Sequence, residues 1–280
     1  MPGHTLMVQG ELGISGIETI SASGICLSGI NALKYIYYGI KAGDLTKAVS
    51  CGSEASSPIL CARNFTEESN HQLEELEKNA GIAFEKDFLR WMLSDGAGAF
   101  LLEGEPKGKQ PLKVEWIEGY SYAHELDTCM YAGGDKLENG QLKPWSEFPA
   151  HDWSEQSLFA MKQDVKLLSE NILVKGVDSL KHALDKHNIK PEDLTYYLPH
   201  ISSYFFKDKL YEEMVKQDFV VPLDKWFMNL EKVGNVGAAS IYIMLEELVD
   251  SGKLNKGDKI LLHVPESARF AYNYALLTVC

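Results

Sequence analysis

Residues 24–43, GICLSGINALKYIYYGIKAG, decide the reading of this chain. Leu27, Ile30, Leu33, Ile36, Tyr37 and Ile40 recur at helical spacing and give residues 27–42 a wide apolar face. A helix of that kind has to be covered by other elements. Gly43 supplies its stop, because glycine takes the left-handed backbone that ends helices. The run GIETISAS around 17–23 reads as a strand entering the helix, and KAVSCG (47–52) reads as a strand leaving it. Cys26 therefore stands at a strand-to-helix junction, where the helix end favours a thiolate.

Further along, a second stretch has the same plan. Cys26 precedes Gly43 by 17 residues, and Asn235 precedes Gly252 by 17 residues. Each glycine is followed by Leu and Lys (Leu45 and Lys47, Leu254 and Lys256), then by a strand that ends near Ser53–Glu54 or Glu266–Ser267. Cys26 and Asn235 thus start equivalent helices in two related halves. Both helices open with small residues, Ser28 and Gly29 in one, Gly237, Ala238, Ala239 and Ser240 in the other. Small side chains let the two N-termini approach, each with unpaired backbone N–H groups and a positive dipole end.

The rest of the chain alternates strand-like and helix-like segments, which predicts α/β architecture. DGAGAFLLEG (95–104) is a glycine-rich turn into a strand, and residues 105–155 read as loops. Helices are expected at 156–188, 207–217 and 237–250, and strands at 194–200, 258–264 and in RFAYNYALLTV (269–279). The two halves divide at 155, as 1–155 and 156–280. The net charge of −13 argues against a nucleic-acid surface. No apolar run is long enough to span a bilayer, and MPGHTLMVQGELG lacks the basic and apolar regions of a signal peptide. Five cysteines, Cys26, Cys51, Cys61, Cys129 and Cys280, without CxxC or zinc spacing, read as reduced thiols in a cytoplasm. The DGAG turn lacks both the GK[ST] ending and dinucleotide spacing, so it is not a nucleotide loop.

Three residues can carry chemistry. A thiolate at Cys26 would accept acyl groups from thioesters, although a lone cysteine is as often a buried structural residue. His200 closes a strand in LPHISS, at the kind of strand end where α/β sheets present functional groups, or else Ser202 and Ser203 satisfy its ring. Asn235, in KVGNVGAAS, is a natural helix cap, and its amide can also donate to a carbonyl oxygen. His182 and His187 fall on a charged helix and read as solvated, and His263 inside a strand reads as core. Tyr35, Tyr37 and Tyr38 read as packing residues.

Cys26 in GICLSG, His200 in LPHISS and Asn235 in VGNVGAAS, in that order, resemble the Cys-His-Asn set of the ketoacyl-acyl-carrier-protein synthase III family, of the thiolase superfamily. PGHTLMVQGELGI resembles the helix before that family's nucleophile strand, and DGAGAFLL its glycine-rich strand entry. The resemblance runs from Pro2 to the C-terminus, and LPHISS looks closer to the dialkylresorcinol and aryl-polyene branch than to the fatty-acid initiator. It implies a thiolase-like fold of two pseudo-repeated halves, layered α-β-α-β-α, with the N-terminal half incomplete because the family's opening strand–helix–strand units are absent. It further implies that Cys26 attacks an acyl thioester and that His200 and Asn235 stabilise an enolate. The oxyanion would lie on the backbone N–H groups of Cys26 and Ala268. The reaction would be a Claisen condensation with a malonyl or β-ketoacyl thioester. Substrates would be thioesters of coenzyme A or an acyl carrier protein, with no cofactor or metal, and the chain would be a homodimer joined near 47–53. Acyl transfer to oxygen or nitrogen, or a non-catalytic partner role, are the alternatives. Two departures stand out. His200-Ile201-Ser202-Ser203 replaces His-Gln-Ala-Asn, and Ser267-Ala268-Arg269 replaces a glycine run, which would crowd the pocket and add the charge of Arg269.

Overall fold

A computed structural model describes residues 2–61 and 92–280. The helices are α1 (His4–Leu12), α2 (Leu27–Ala42), α3 (Asp152–Glu155), α4 (Val165–Lys186), α5 (Phe205–Lys216), α6 (Leu230–Val233) and α7 (Ser240–Asp250). The strands are β1 (Lys47–Glu54), β2 (Gly96–Glu103), β3 (Leu112–Ser121), β4 (Met130–Tyr131), β5 (Gly134–Lys136), β6 (Leu142–Pro144), β7 (Lys162–Gln163), β8 (Tyr196–Pro199), β9 (Lys259–Glu266) and β10 (Ala271–Val279).

The central sheet has the order β3-β10-β9-β8, antiparallel except for the parallel pair β8–β9. Its strands are apolar on both faces because helices cover both. Ile260, Leu262 and Val264 of β9, with Ala275, Leu277 and Val279 of β10, pack against α2 and α7. Leu261, Tyr272, Tyr274 and Leu276 point the other way, into a core built by α4 and α5. The pleat, with successive side chains on opposite faces, produces this division. On the far side of α2 and α7 lies the antiparallel pair β1–β2. Its outer face exposes Val49 (64%) and Leu101 (53%). Among the described residues the order is therefore α-β-α-β, and α1 meets that last face at one end, where His4 Nε2 lies 2.9 Å from Ser53 Oγ.

The helix read from 27–42 forms over those residues, and Gly43 ends it at φ 86°. The expected strand at 17–23 is absent: these residues run as irregular chain, tied to α1 by Thr5 Oγ1 donating to the Ile20 carbonyl (2.7 Å). The helix expected over 156–188 begins only at Val165, where Asp164 accepts from Leu167 N as its cap (3.0 Å). Residues 105–155 are more than loops. They contain β3, whose alternation is hidden by a bulge: Trp116 pairs with Leu276 and Val114 with Leu277, so Glu115 is extra. Leu112 and Val114 face the α2/α7 core, and Ile117 resumes that face after the phase shift. Because β3 belongs to the same sheet as β8–β10, the boundary drawn at 155 does not separate two sheets.

Candidate active site

The two helix starts meet. A Cβ on Gly29 would lie 2.3 Å from the Ala238 carbonyl oxygen, and one on Gly52 would lie 2.2 Å from the same atom. Only glycine permits that approach, and it brings Cys26 and Asn235 to one cavity. The cavity is about 220 Å³ and is lined by Cys26, His200 and Asn235 together. Its remaining walls are mostly apolar, with Leu168, Ile172 and Leu173 from α4, Phe206 and Leu210 from α5, and Tyr272 from β10.

Cys26 is the residue before α2 and follows Ile25, which holds φ 52°. A β-branched residue in the left-handed region is strained, and here it turns the chain so that the sulfur enters the cavity. The expected acidification of the thiol does not hold. Burial, then the carboxylates of Glu266 and Glu54, push Cys26 up to about 12, and only its own backbone N–H opposes them. Desolvation and like charge outweigh the helix end, and the resting group is a thiol.

His200 is 4% exposed, and its backbone N–H donates to the His263 carbonyl (2.8 Å). Burial lowers its pKa to about 4, so the ring is neutral at pH 7. No described hydrogen bond joins the ring to Ser202 or Ser203; Ser203 Oγ instead accepts from Phe205 N (3.2 Å). Asn235 is not the cap of α7, which begins after Ala239; it lies two residues before the short 3-10 turn Gly237–Ala239 that leads into the helix. Its Oδ1 accepts from Gly237 N (3.0 Å), which leaves the Nδ2 amide as the donor on a cavity-lining residue.

The Ala268 N–H does not face Cys26. It donates to Glu266 Oε1, and Arg269 N donates to Glu266 Oε2 at 3.4 Å. The turn thus satisfies itself with the carboxylate that ends β9. The Arg269 guanidinium leaves the cavity and donates to the Leu126 carbonyl (3.1 Å) and the Ala123 carbonyl (3.2 Å). His187 is not a solvated residue: its ring stacks on Trp116 (4.4 Å) and its Nε2 lies 2.9 Å from Glu118.

Sequence reading missed three groups. Glu54 lines the cavity, fills the space above Gly237 and accepts from the Ala238 backbone; burial holds its pKa above the usual carboxylate range. Glu266 is 7% exposed and is likewise raised by burial. The matched strand endings, Ser53–Glu54 and Glu266–Ser267, were the signal for both. His263 is buried as expected, yet it also lines the cavity, and its Nε2 has no hydrogen-bond partner among the described residues. No group of three or more His, Cys, Asp or Glu suited to a metal occurs among the described residues, and none of their helices is long and apolar enough to cross a membrane.

Residues 184–264 match the family model for the 3-oxoacyl-[acyl-carrier-protein (ACP)] synthase III C terminal. A beta-ketoacyl-[acyl-carrier-protein] synthase III of Fusobacterium nucleatum is 26% identical over 266 residues, covering 93% of this chain and 67% of that protein. The namesake from Clostridium beijerinckii is 36% identical over 105 residues, covering 36% of this chain and 31% of that protein. Among solved structures, 3-oxoacyl-[acyl-carrier-protein] synthase III of Aquifex aeolicus superposes with a TM-score of 0.66 at 20% identity, over 99% of this chain and 72% of that one. OleA of Xanthomonas campestris, crystallised with lauric acid and lauroyl-CoA, superposes with a TM-score of 0.72 at 20% identity, over 99% and 71%. These likenesses establish the thiolase fold.

Proposed function

We propose that the chain, which is similar to beta-ketoacyl-[acyl-carrier-protein] synthase III proteins, is a ketosynthase-type condensing acyltransferase in which Cys26 carries the acyl group. The observation that carries this reading is the convergence of Cys26, His200 and Asn235 on one apolar-walled cavity. The chain spans about two thirds of the length of its curated relatives, 67% of the Fusobacterium protein.

The sulfur attacks the carbonyl carbon of an acyl thioester, a new C–S bond forms, and the donor thiol leaves with the proton that Cys26 gives up. Oxygen charge in the tetrahedral intermediate falls on the Cys26 N–H, and on the Ala268 N–H once Glu266 releases it. A second thioester then enters and becomes an enolate by losing carbon dioxide, if it is a malonyl thioester, or an α-proton, if it is a β-ketoacyl thioester. Neutral His200, as an Nε2–H donor, and the Asn235 amide hold its carbonyl oxygen, so the charge of the enolate develops against two fixed donors in a water-poor site. The enolate carbon attacks the acyl carbon, the C–S bond breaks, and Cys26 leaves as a thiolate that takes up a proton to return to its resting thiol. The names of the relatives support acyl carrier protein as a carrier, the lauroyl-CoA bound to OleA supports coenzyme A, and the apolar walls suit an acyl chain. The free state of all five cysteines supports a cytoplasmic setting, and the exposed outer face of β1–β2 supports a homodimer there.

Mass spectrometry after incubation with an acyl-CoA tests the assignment. The expected result is one acyl group on the Cys26 peptide, absent from Cys26→Ala. An unmodified wild type, or an adduct that survives in Cys26→Ala, would remove Cys26 as the nucleophile.

A further inference from the structure

We infer that Glu54 is the positioning residue for Asn235: its carboxylate holds the turn Gly237–Ala239 in place and so aims the Asn235 amide at the carbonyl of the second thioester. The inference rests on the condensing reading above and adds a residue to its second step.

The first observation is how the turn ahead of α7 is held. Three consecutive backbone N–H groups are each taken by a side chain. Val236 N donates to Ser240 Oγ (2.9 Å), Gly237 N to Asn235 Oδ1 (3.0 Å) and Ala238 N to the Glu54 carboxylate. Ser240 and Asn235 belong to the same stretch of chain as the groups they hold. Of the three acceptors only Glu54 comes from elsewhere, from the end of β1.

The second observation is what depends on the middle bond. A side-chain amide can turn over and exchange its oxygen and nitrogen ends, and its neighbours decide which way it points. Asn235 presents Nδ2 to a substrate oxygen only while Oδ1 is taken by Gly237 N. Gly237 holds φ 50°, a conformation that glycine enters freely and leaves as freely. Glu54 removes that freedom. Its Oε2 occupies the space that a Cβ on Gly237 would need, and the next N–H along the chain is bound to the same carboxylate.

The third observation is the frame behind Glu54. Gly52 and Glu54, two residues apart, share one face of β1. A Cβ on Gly52 would run into the Ala238 carbonyl, and Glu54 takes the Ala238 N–H, so β1 meets that residue at both its polar groups. β1 also packs on α2, the helix that Cys26 precedes. Glu54 is therefore a cross-link that sets the Asn235 amide relative to Cys26, and all three residues line one cavity.

This arrangement is costly. Glu54 is half-buried, the charge that faces it is that of Asp95, and its own charge helps to hold Cys26 as a thiol. A carboxylate that served the sulfur would speed acylation. One that serves Asn235 speeds only the step in which the amide binds a carbonyl.

The test separates reach from charge. The full chain is acylated on Cys26 by lauroyl-CoA and then mixed with malonyl- or acetoacetyl-N-acetylcysteamine. Mass spectrometry follows the Cys26 peptide in the first step and the carbon–carbon product in the second. Glu54→Gln keeps an acceptor oxygen at the same reach and loses the charge. Glu54→Asp keeps the charge and falls one methylene short of Ala238 N. The expected pattern is condensation by Glu54→Gln within about threefold of wild type and condensation by Glu54→Asp roughly 10–100-fold more slowly. Acylation is slowed in neither, and in Glu54→Gln it is faster, because one like charge near Cys26 is gone. Asn235→Ala should lower condensation at least as far as Glu54→Asp does. Slow condensation by Glu54→Gln, or wild-type condensation by Glu54→Asp, overturns the inference and leaves the condensing reading intact. Slowed acylation in Glu54→Gln also overturns it, by assigning Glu54 to the Cys26 proton instead. An acylated wild type that condenses with neither thioester removes the condensing reading itself, and the inference with it.

Discussion

Gly29 and Ala238 touch backbone to backbone: a Cβ on Gly29 would sit 2.3 Å from the Ala238 carbonyl oxygen and 2.7 Å from the Tyr242 ring. The Tyr242 hydroxyl donates to the Gly29 carbonyl (2.8 Å) and pairs with Ser50 Oγ (2.6 Å), so the contact is fixed from both sides. The first prediction is that Gly29→Ala forces α2 and the start of α7 apart. Overpacking of a rigid backbone contact costs about 1–3 kcal/mol. Urea unfolding should show that loss, and Cys26 acylation should slow as well, because the cavity walls separate. A variant with wild-type stability and acylation would mean that the contact is not a fixed one.

The second prediction concerns the resting thiol. With Cys26 pushed up to about 12, its thiolate fraction rises tenfold per pH unit through the whole accessible alkaline range. Iodoacetamide labelling of the Cys26 peptide, read by mass spectrometry, should climb from pH 7 to pH 10 without a plateau. In Glu266→Gln one like charge is gone, and labelling at any given pH should be faster. A plateau below pH 9 in the wild type would show that the helix end does acidify the thiol.

The third prediction follows from two buried neutral histidines. Their folded pKa values, about 4 for His200 and about 3 for His263, lie below the unfolded value of 6.5. The unfolded chain therefore binds protons first, and stability falls as pH drops from 6.5 towards 4. Each histidine contributes up to about 1.4 kcal/mol per pH unit in that window. Glu54 and Glu266 act in the opposite sense just above the ordinary glutamate value of 4.5, because burial in the fold raises their pKa. The expected melting temperature declines steadily from pH 6.5 to 5, and His263→Phe should decline less steeply. A flat profile would mean that neither ring is buried neutral.

Local patterning carried much of the fold. The 3.6-residue spacing of Leu27, Ile30, Leu33, Ile36 and Ile40 gave α2 to the residue, since one helix face was enough to define it. β3 was not legible, because the extra residue Glu115 breaks the period-2 pattern, and only pairing with β10 restores it. The start of α4 was drawn too early, because Trp153, Leu158 and Phe159 pack as a small cluster of turns rather than along a helix. His187 was misjudged because its stacking partner, Trp116, lies 71 positions away in sequence, on β3.

For the site, the sequence by itself determined which residues are candidates and that two of them stand ahead of helices at matched spacing; Cys26 directly precedes α2, whereas Asn235 precedes α7 by a short 3-10 turn. Cys26 and Asn235 announce themselves by identical spacing to a glycine stop, and glycine stops depend on local backbone geometry alone. What only the tertiary structure decided is the state of those groups. Whether a thiol is acidic depends on every charge and every buried surface around it, and those come from other elements: Glu54 from β1 and Glu266 from β9. The same holds for the Ala268 N–H, which the chain order left available and which the β9–β10 turn gives to Glu266. Spacing in sequence fixes what starts a helix; desolvation and Coulomb interactions act through space, and space is set only when the sheet and its two helix layers have closed.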